Sequence, residues 1–348
     1  MDNPPTPYPL ATPQITVDTA FDGWLVGQLA ESTRKLYRRD LEDFFGGIPT
    51  AEKILSLTDV DLQIWRNKTL KKGPDDQNYL EASTICRKLA SLSSFYGYLQ
   101  AKGLVSVNPA SPKLVRRPKL SEWTPQLGLM PTEMQQVIVA CHRPTGSRNV
   151  QESMARDLAL ITLLYTALLR RSEAANANWG DISKQAEHYW LNIPIAKGGH
   201  NQKVKLEPVV IGLLNRYIEE MGGQKAFEKK SNLPFDRCPI FVALDRAHFF
   251  HRLTDHSINQ IVKKRSETAR LPQGTSVTAH TMRHTGITHM LLAGKNPLAV
   301  QKLARHKDLS TTMIYAALAQ QLAESPSYVL AGHVEDVLTE LEAQNELF

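Results

Sequence analysis

Cysteine is scarce: Cys86, Cys141 and Cys238 are the only three in 348 residues, they lie far apart, and they form no CxxC pair. With no His/Cys cluster at metal-ligand spacing either, a disulfide framework and a structural zinc are not expected. Also missing is an uninterrupted apolar run long enough to span a bilayer. The start, Met1-Asp2-Asn3-Pro4-Pro5, lacks the basic region and apolar core of a secretion signal. These absences point to a soluble protein of a reducing compartment, cytoplasmic and without a membrane partner. Internal repeats and low-complexity tracts are lacking beyond a proline-rich start.

What is present is enough apolar content, 42% of 348 residues, for two packed domains, at least the larger with a sizeable core. A formal net charge of +6 favours an anionic partner without identifying it.

Pro4, Pro5, Pro7, Pro9 and Pro13 make residues 1 to 20 an extended or disordered tail. From Glu31 a helix is expected, capped by Ser32 or Thr33, with Tyr37, Leu41, Phe44 and Phe45 on one stripe and Arg34, Lys35, Arg38 and Arg39 mostly off it. A weaker helix spans about 58 to 70. A stronger one spans about 83 to 102, burying Ile85, Leu89, Leu92, Tyr96 and Leu99 and leaving Arg87 and Lys88 elsewhere. Together they predict a helical domain over 21 to 110. Five prolines between Asn108 and Pro131, with Arg116-Arg117-Pro118-Lys119 among them, read as an interdomain linker over 111 to 130. Each basic residue here has a bland reading, as a solvated face or a soluble linker; two basic amphipathic helices in one small domain raise the case for phosphate contact.

A larger domain is expected over 131 to 330. It opens with a helix at Thr132-Glu133 and continues with an apolar helix from about Ser153 to Leu169, ending in Arg170-Arg171-Ser172-Glu173. Tyr189, Leu191, Ile193 and Ile195, then Val204 and Leu206, alternate as a β-hairpin whose turn holds Lys197-Gly198-Gly199-His200. Residues 222 to 256 show no clear pattern. Ser257 to Arg265 reads as a helix with Lys263, Lys264 and Arg265 at its end, and a run with Leu298, Val300, Leu303 and Ala304 reads as a buried helix. Residues 331 to 348 form an apolar-faced tail helix with Val334, Val337, Leu338 and Leu341 on one side, which something must bury.

The chemistry-bearing groups concentrate between His280 and Tyr315. His280 and Arg283, three apart, point the same way on a helix and can approach one phosphate. Taken singly, each candidate has a structural reading. Arg170 sits at a helix end beside Glu173, Lys197 is a turn lysine, and Tyr315 fits an amphipathic core position.

Order and spacing change that. Arg170-x-Ser172-Glu173, the hairpin lysine Lys197, His280-x-x-Arg283-His284, Gly294, His306, and Tyr315 nine residues later together resemble the tyrosine recombinase or phage integrase family, of the simple Cre or Xer kind. The resemblance covers essentially the whole chain, the helical domain corresponding to that family's core-binding domain. It departs in two places: the family usually has glycine two residues before its first arginine, here Leu168, and before its second histidine, here Arg305. Arg171, next to Arg170, leaves the first register open by one.

The resemblance implies a two-domain DNA clamp, mainly α with a small antiparallel β-sheet in the C-terminal domain. It implies a site-specific DNA recombinase working through a covalent 3′-phosphotyrosine, a chemistry that requires neither ATP nor a metal or other cofactor. Arg170, Lys197, His280, Arg283, His306 and Tyr315 are its catalytic set, with Tyr315 the nucleophile. Phosphate contacts are expected from Arg34, Lys35, Arg38, Arg87, Lys88, Arg116, Arg117, Lys263 and Lys264. The implied partner is double-stranded DNA with inverted half-sites, bound by a homotetramer whose free form is a monomer or weak dimer. The tail helix would dock in trans, the absence of a separate arm-binding domain points to a simple recombinase that needs few accessory proteins, and a DNA-acting protein of this kind is expected to be nucleoid-associated. The rivals are a type IB topoisomerase, set apart by relaxing DNA that lacks a particular site, and a DNA-binding architectural or regulatory protein on a decayed catalytic scaffold. A relaxase fits less well, for no His-hydrophobic-His metal motif accompanies the tyrosine.

Overall fold

The computed structural model describes residues 16–28, 31–71, 79–119, 128–146, 149–193, 202–272, 277–306 and 308–323. The chain divides into two compact units, residues 1–123 and 124–348. The fold is mainly α with one small antiparallel sheet.

The first unit contains α1 (Val17–Gly27), α2 (Glu31–Phe45), α3 (Ala51–Ser56), α4 (Asp59–Thr69) and α5 (Ala82–Ala101). Ile85, Leu89, Leu92, Phe95, Tyr96 and Leu99 give α5 a continuous buried face, against which α1 and α2 pack. Trp24 of α1 stacks on Tyr37 of α2, ring centroids 5.1 Å apart. The Asp40 carboxylate is buried beneath these helices, where it accepts from Ser91 Oγ at 2.8 Å and from the Arg87 guanidinium. Thr58 and Asp61 cap α4 reciprocally, at 3.2 and 3.0 Å.

Two findings differ from the sequence reading here. A helix begins at Val17, inside the segment expected to be extended, because the prolines stop at Pro13 and Ala20, Phe21, Trp24 and Leu25 form a buried stripe. Residues 111–117, expected in a linker, are tied to this unit. Arg117 Nη2 donates to Leu89 O and Ala110 O, both at 3.1 Å, and Arg66 Nη1 donates to Arg116 O at 2.6 Å.

The second unit contains α6 (Pro131–Ala140), α7 (Val150–Thr166), α8 (Arg171–Asn176), β1 (Ile182–Gln185), β2 (His188–Ile193), β3 (Gln202–Leu206), α9 (Pro208–Glu220), α10 (Gln224–Ser231), α11 (Asp255–Ala269), α12 (Ala279–Leu292), α13 (Pro297–Ala304) and α14 (Leu309–Ala323). Helix α7 is its axis: Ala159 through Leu164 are buried all round, because α9 and α12 both pack on it. Asp157 on α7 holds Arg156 at 2.7 Å and Arg265 of α11 at 2.8 Å, and Arg265 also donates to Ala140 O and Arg143 O. Arg265 is therefore a fully buried tie between α6, α7 and α11, not part of an exposed basic cluster. Breaking such a buried, paired network costs about 3–5 kcal/mol.

The sheet order is β1-β2-β3, with Ile182 opposite Leu191 and Leu191 opposite Val204. Leu191, Ile193, Val204 and Leu206 are its buried face, as their alternation predicts. β1 adds a strand to the expected hairpin, and α10, with the Val242–Arg252 bridge, organises part of the stretch that showed no pattern. On α13 only Val300 and Ala304 are buried while Leu298 is 52% exposed, since residues two apart on a helix face opposite ways. The turn with Lys197, the segment 1–15 and the tail helix at 331–348 lie outside the described residues. Among the described residues no helix is long and apolar enough to cross a membrane.

Candidate active site

Helix α12 is started by Thr278, whose Oγ1 accepts from Thr281 N at 3.2 Å while Thr281 Oγ1 accepts from Thr278 N at 3.1 Å. This cap sets the helical phase, and with it His280, Arg283 and His284 fall on one face at i, i+3 and i+4. The His280 and His284 rings meet edge to face, centroids 4.0 Å apart. Tyr315, from the middle of α14, is buried on the same side, with its hydroxyl hydrogen-bonded to His284 Nδ1.

Arg283 reaches from this face to the loop between α7 and α8, donating to Leu168 O and Ala304 O. Arg170, the residue just before α8, donates from Nη1 to Glu173 Oε1 at 2.7 Å and from Nη2 to Arg305 O at 2.9 Å. Arg171 instead pairs with Asp255 at 3.3 Å, so Arg170 is the arginine that joins the cluster. His306, following α13, hydrogen-bonds Thr312 Oγ1 of α14 through Nδ1 at 2.9 Å.

The two positions where glycine is usual both adopt left-handed backbone, Leu168 at φ 50° and Arg305 at φ 57°. Glycine suits that conformation without a Cβ penalty, which is the physical content of the expected motif. Here both side chains are buried instead. Leu168 packs with Ile287, Val300, Ala304 and Tyr315, and Arg305 donates to Leu168 O at 2.9 Å and to Glu173 Oε2 at 2.6 Å.

The cluster's electrostatics follow from several cations crowded away from water. Burial, with the charges of Arg170 and Arg305, lowers Arg283 to about 9. Burial, then His280, Arg283 and His306, brings His284 down to about 3. His306 falls to about 4 through burial and the arginines, and His280 is lowered by burial and by Arg283, Arg170 and Arg171. Burial raises the Tyr315 phenol to about 12, with Arg283 pulling the other way. Glu173 is pushed up by burial but pulled further down by Arg305 and by hydrogen bonds from both arginines, so its carboxyl lies below the usual range. An anion placed among Arg170, Arg283 and the histidines would relieve this mutual repulsion. At neutral pH His284 is thus uncharged and the Tyr315 phenol protonated.

His280, Arg283, Arg170, His306 and Tyr315 are thereby gathered from four segments. Glu173 and Arg305 join them, and His284, quoted in the motif without a role, is the direct partner of Tyr315. The i, i+4 spacing of His280 and His284 was the available signal for the last; Arg305 carried only the signal of a missing glycine. A cavity of about 770 Å³ opens elsewhere, beside Asn149, Asp245, Phe249, His256 and Lys264, and the buried Arg156–Asp157 pair along it is already hydrogen-bonded. The chemistry-bearing groups mark the site better than this cavity does.

The expected DNA contacts are placed unequally. Arg34 and Lys35 lie on α2, where Lys35 makes an exposed pair with Glu31, and Arg38 pairs with Asp22 and Glu42. Lys88 is buried and bonded to Asp43 at 3.2 Å, and Arg87 serves Asp40, so both have structural work. Arg117 is likewise spent on backbone carbonyls, whereas Arg116, Lys263 and Lys264 are exposed.

Comparison with known proteins agrees with this geometry. The model of the phage integrase family matches residues 129–321, and that of the phage integrase N-terminal SAM-like domain matches residues 24–103. A tyrosine recombinase of Thermosipho africanus is 29% identical over 292 residues, covering 84% of this chain and 90% of the relative. The tyrosine recombinase XerD of Pseudomonas aeruginosa is 28% identical over 303 residues, covering 85% and 90%. Among solved structures, a lambda integrase dimer bound to a COC′ core site superposes with a TM-score of 0.62 at 15% identity, over 87% of this chain and 77% of that one. XerH recombinase bound to palindromic difH substrate gives 0.58 at 18% identity, over 83% and 76%. With the family's model spanning more than half the residues, the chain belongs to the phage integrase family.

Proposed function

We propose that this member of the phage integrase family is a site-specific DNA recombinase with Tyr315 as its nucleophile. The observation that carries the reading is the burial of the Tyr315 hydroxyl against the one face of α12 that bears His280, Arg283 and His284, with Arg170 and His306 brought in from other elements. No packing requirement explains so many cationic and proton-transferring groups around one phenol.

In the forward step the Tyr315 oxygen attacks a DNA phosphorus. A Tyr–O–P bond forms, the P–O5′ bond breaks, and the phosphate stays on the 3′ strand end. Charge growing on the non-bridging oxygens is met by Arg170 and Arg283, which need no change of protonation to do so. His280 receives the phenolic proton and His306 hydrogen-bonds the phosphate. Lys197 protonates the departing 5′ oxygen. A 5′ hydroxyl from a second duplex then reverses the step, so two phosphoryl transfers of similar bond energy exchange the strands.

In the resting arrangement the protonated phenol is hydrogen-bonded to an uncharged His284. Attack requires the hydroxyl to leave that partner, and an arriving phosphate supplies the anion that favours the change. Inverted half-sites on double-stranded DNA, a homotetramer with pairwise exchange, docking of residues 331–348 in trans and a nucleoid location complete the proposal. Two domains, 21–110 and 131–330, are proposed to act as the clamp. Arg34, Lys35, Arg38, Arg116, Lys263 and Lys264 supply its phosphate contacts.

The test is covalent capture from a pool of singly nicked duplexes with randomised inserts, using wild type and Tyr315→Phe. The expected result is adducts that survive detergent, carry the protein on the 3′ phosphate, share a sequence, and form only with wild type. Equal adducts from both proteins, or none from wild type, would sink the assignment. Relaxation of plasmid irrespective of sequence would point to the topoisomerase reading instead.

A further inference from the structure

Three guanidiniums, those of Arg170, Arg283 and Arg305, converge on one carboxylate and one carbonyl. Glu173 Oε2 accepts from Arg305 Nη2 at 2.6 Å and from the Arg170 backbone N at 2.7 Å, and Glu173 Oε1 accepts from Arg170 Nη1 at 2.7 Å. The Leu168 carbonyl accepts from both Arg305, at 2.9 Å, and Arg283. Arg170 Nη2 closes the loop by donating to the Arg305 carbonyl at 2.9 Å.

Exposure along this chain of contacts is graded: the Arg305 side chain is 3% exposed, Glu173 12% and Arg170 45%. A buried anchor therefore fixes a carboxylate, and the carboxylate fixes a half-exposed arginine. Leu168 and Arg305 are also the two positions where the backbone turns left-handed with a side chain in place of glycine. They touch, through the Leu168 carbonyl and the Arg305 guanidinium, so the two departures form one structural unit rather than two blemishes.

We propose that Arg305 is a positioning residue: through Glu173 and the Leu168 carbonyl it holds Arg170 and Arg283 at the separation a phosphate requires. A carboxylate held by Arg170 alone could follow that arginine as it moves. Held from the buried side by Arg305, it cannot, and Arg170 keeps one orientation before DNA arrives. Arg305 itself has no route to the phosphate through this arrangement, for its Nη atoms are committed to Leu303 O, Ala167 O, Leu168 O and Glu173. The reaction would thereby gain preorganisation at the cost of an unfavourable backbone angle.

This proposal rests on the recombinase reading, and the experiment separates the two. The probe is the duplex recovered by covalent capture, nicked to trap the adduct, with rates measured at saturating DNA and DNA affinity measured apart. Arg170→Ala is the control for the clamp, and Arg305→Gly, which suits the backbone, is the test. Expected is a roughly 10- to 100-fold slower adduct for Arg305→Gly at unchanged DNA affinity, the scale on which small misplacements of reacting groups act. The effect should largely vanish when both proteins also carry Glu173→Gln, and Arg305→Lys should restore part of the rate. Arg170→Ala slow but Arg305→Gly as fast as wild type overturns the positioning role and leaves the recombinase reading intact. Arg170→Ala as fast as wild type overturns the clamp assignment itself. If Arg305→Gly fails to fold, Arg305→Lys decides. A Lys variant whose rate falls only in step with its thermal midpoint would mark Arg305 as purely structural and refute the proposal.

Discussion

Gly286 offers a severe test of how the site is held together. It lies on α12, two residues after His284, at the point where α12 crosses α7. A Cβ built there would sit 2.5 Å from Leu168 Cδ2 and would overlap the Tyr165 carbonyl oxygen. Ordinary contact begins at 3.4 Å, so relieving the Leu168 contact takes a shift of about 0.9 Å, and the overlap with the Tyr165 carbonyl on α7 pushes the two helices themselves apart. Neither neighbour yields easily, since the first is a fully buried side chain and the second is helix backbone. Against this, replacing a helical glycine by alanine is worth roughly 1 kcal/mol of helix propensity. Overpacking costs typically 1–3 kcal/mol, so Gly286→Ala should be destabilised by up to about 2 kcal/mol net. The functional effect should be larger in proportion. A shift of this size carries His280, Arg283 and His284 away from Arg170 together, and about 1 Å of misplacement can cost ~100-fold in rate. Urea unfolding and single-turnover adduct formation on the captured duplex measure the two effects. A Gly286→Ala protein more stable than wild type by about 1 kcal/mol, with an unchanged adduct rate, would show that the α7–α12 distance is not what positions the site.

The depressed histidines set a pH dependence for the free protein. His284 and His306 titrate near 3 and 4 when folded and near 6.5 when unfolded, so the unfolded chain binds more protons between those values. Their contribution is present above pH 6.5 and is lost as pH falls toward 4 and then 3; urea midpoints should drop over that window, and less so in a His284→Gln, His306→Gln protein. For DNA affinity, Arg34→Ala, Lys35→Ala and Lys264→Ala should each reduce the slope of log affinity against log salt by about 1. Lys88→Met should leave the slope unchanged while lowering stability, because its charge compensates buried Asp40 and is already paired with the exposed Asp43. Filter binding over a salt series and urea unfolding distinguish the two outcomes.

Much of the fold was legible in hydrophobic periodicity. α2, α4, α5, α7 and α11 fall near their expected places because each has an apolar stripe of the right period and a recognisable start. α1 was obscured by the prolines before it, and β1, four residues with only Ile182 apolar, carries too little pattern to be found alone. The basic residues were the least legible. Arg87, Lys88, Arg117 and Arg265 read as a charged surface, and only the buried carboxylates and carbonyls they meet reveal them as structural.

The sequence by itself determined which reactive groups exist, their order, and that His280, Arg283 and His284 share a helix face, since these follow from residue identity and a 3.6-residue turn. It also marked Leu168 and Arg305 as places where glycine was due. Tertiary structure alone decided that these two positions meet, that Arg170 rather than Arg171 enters the cluster, and that His284 is the partner of Tyr315. Such contacts join residues 31 to 137 positions apart. They depend on how α7, α12, α13 and α14 pack, and no local pattern in the chain encodes that packing.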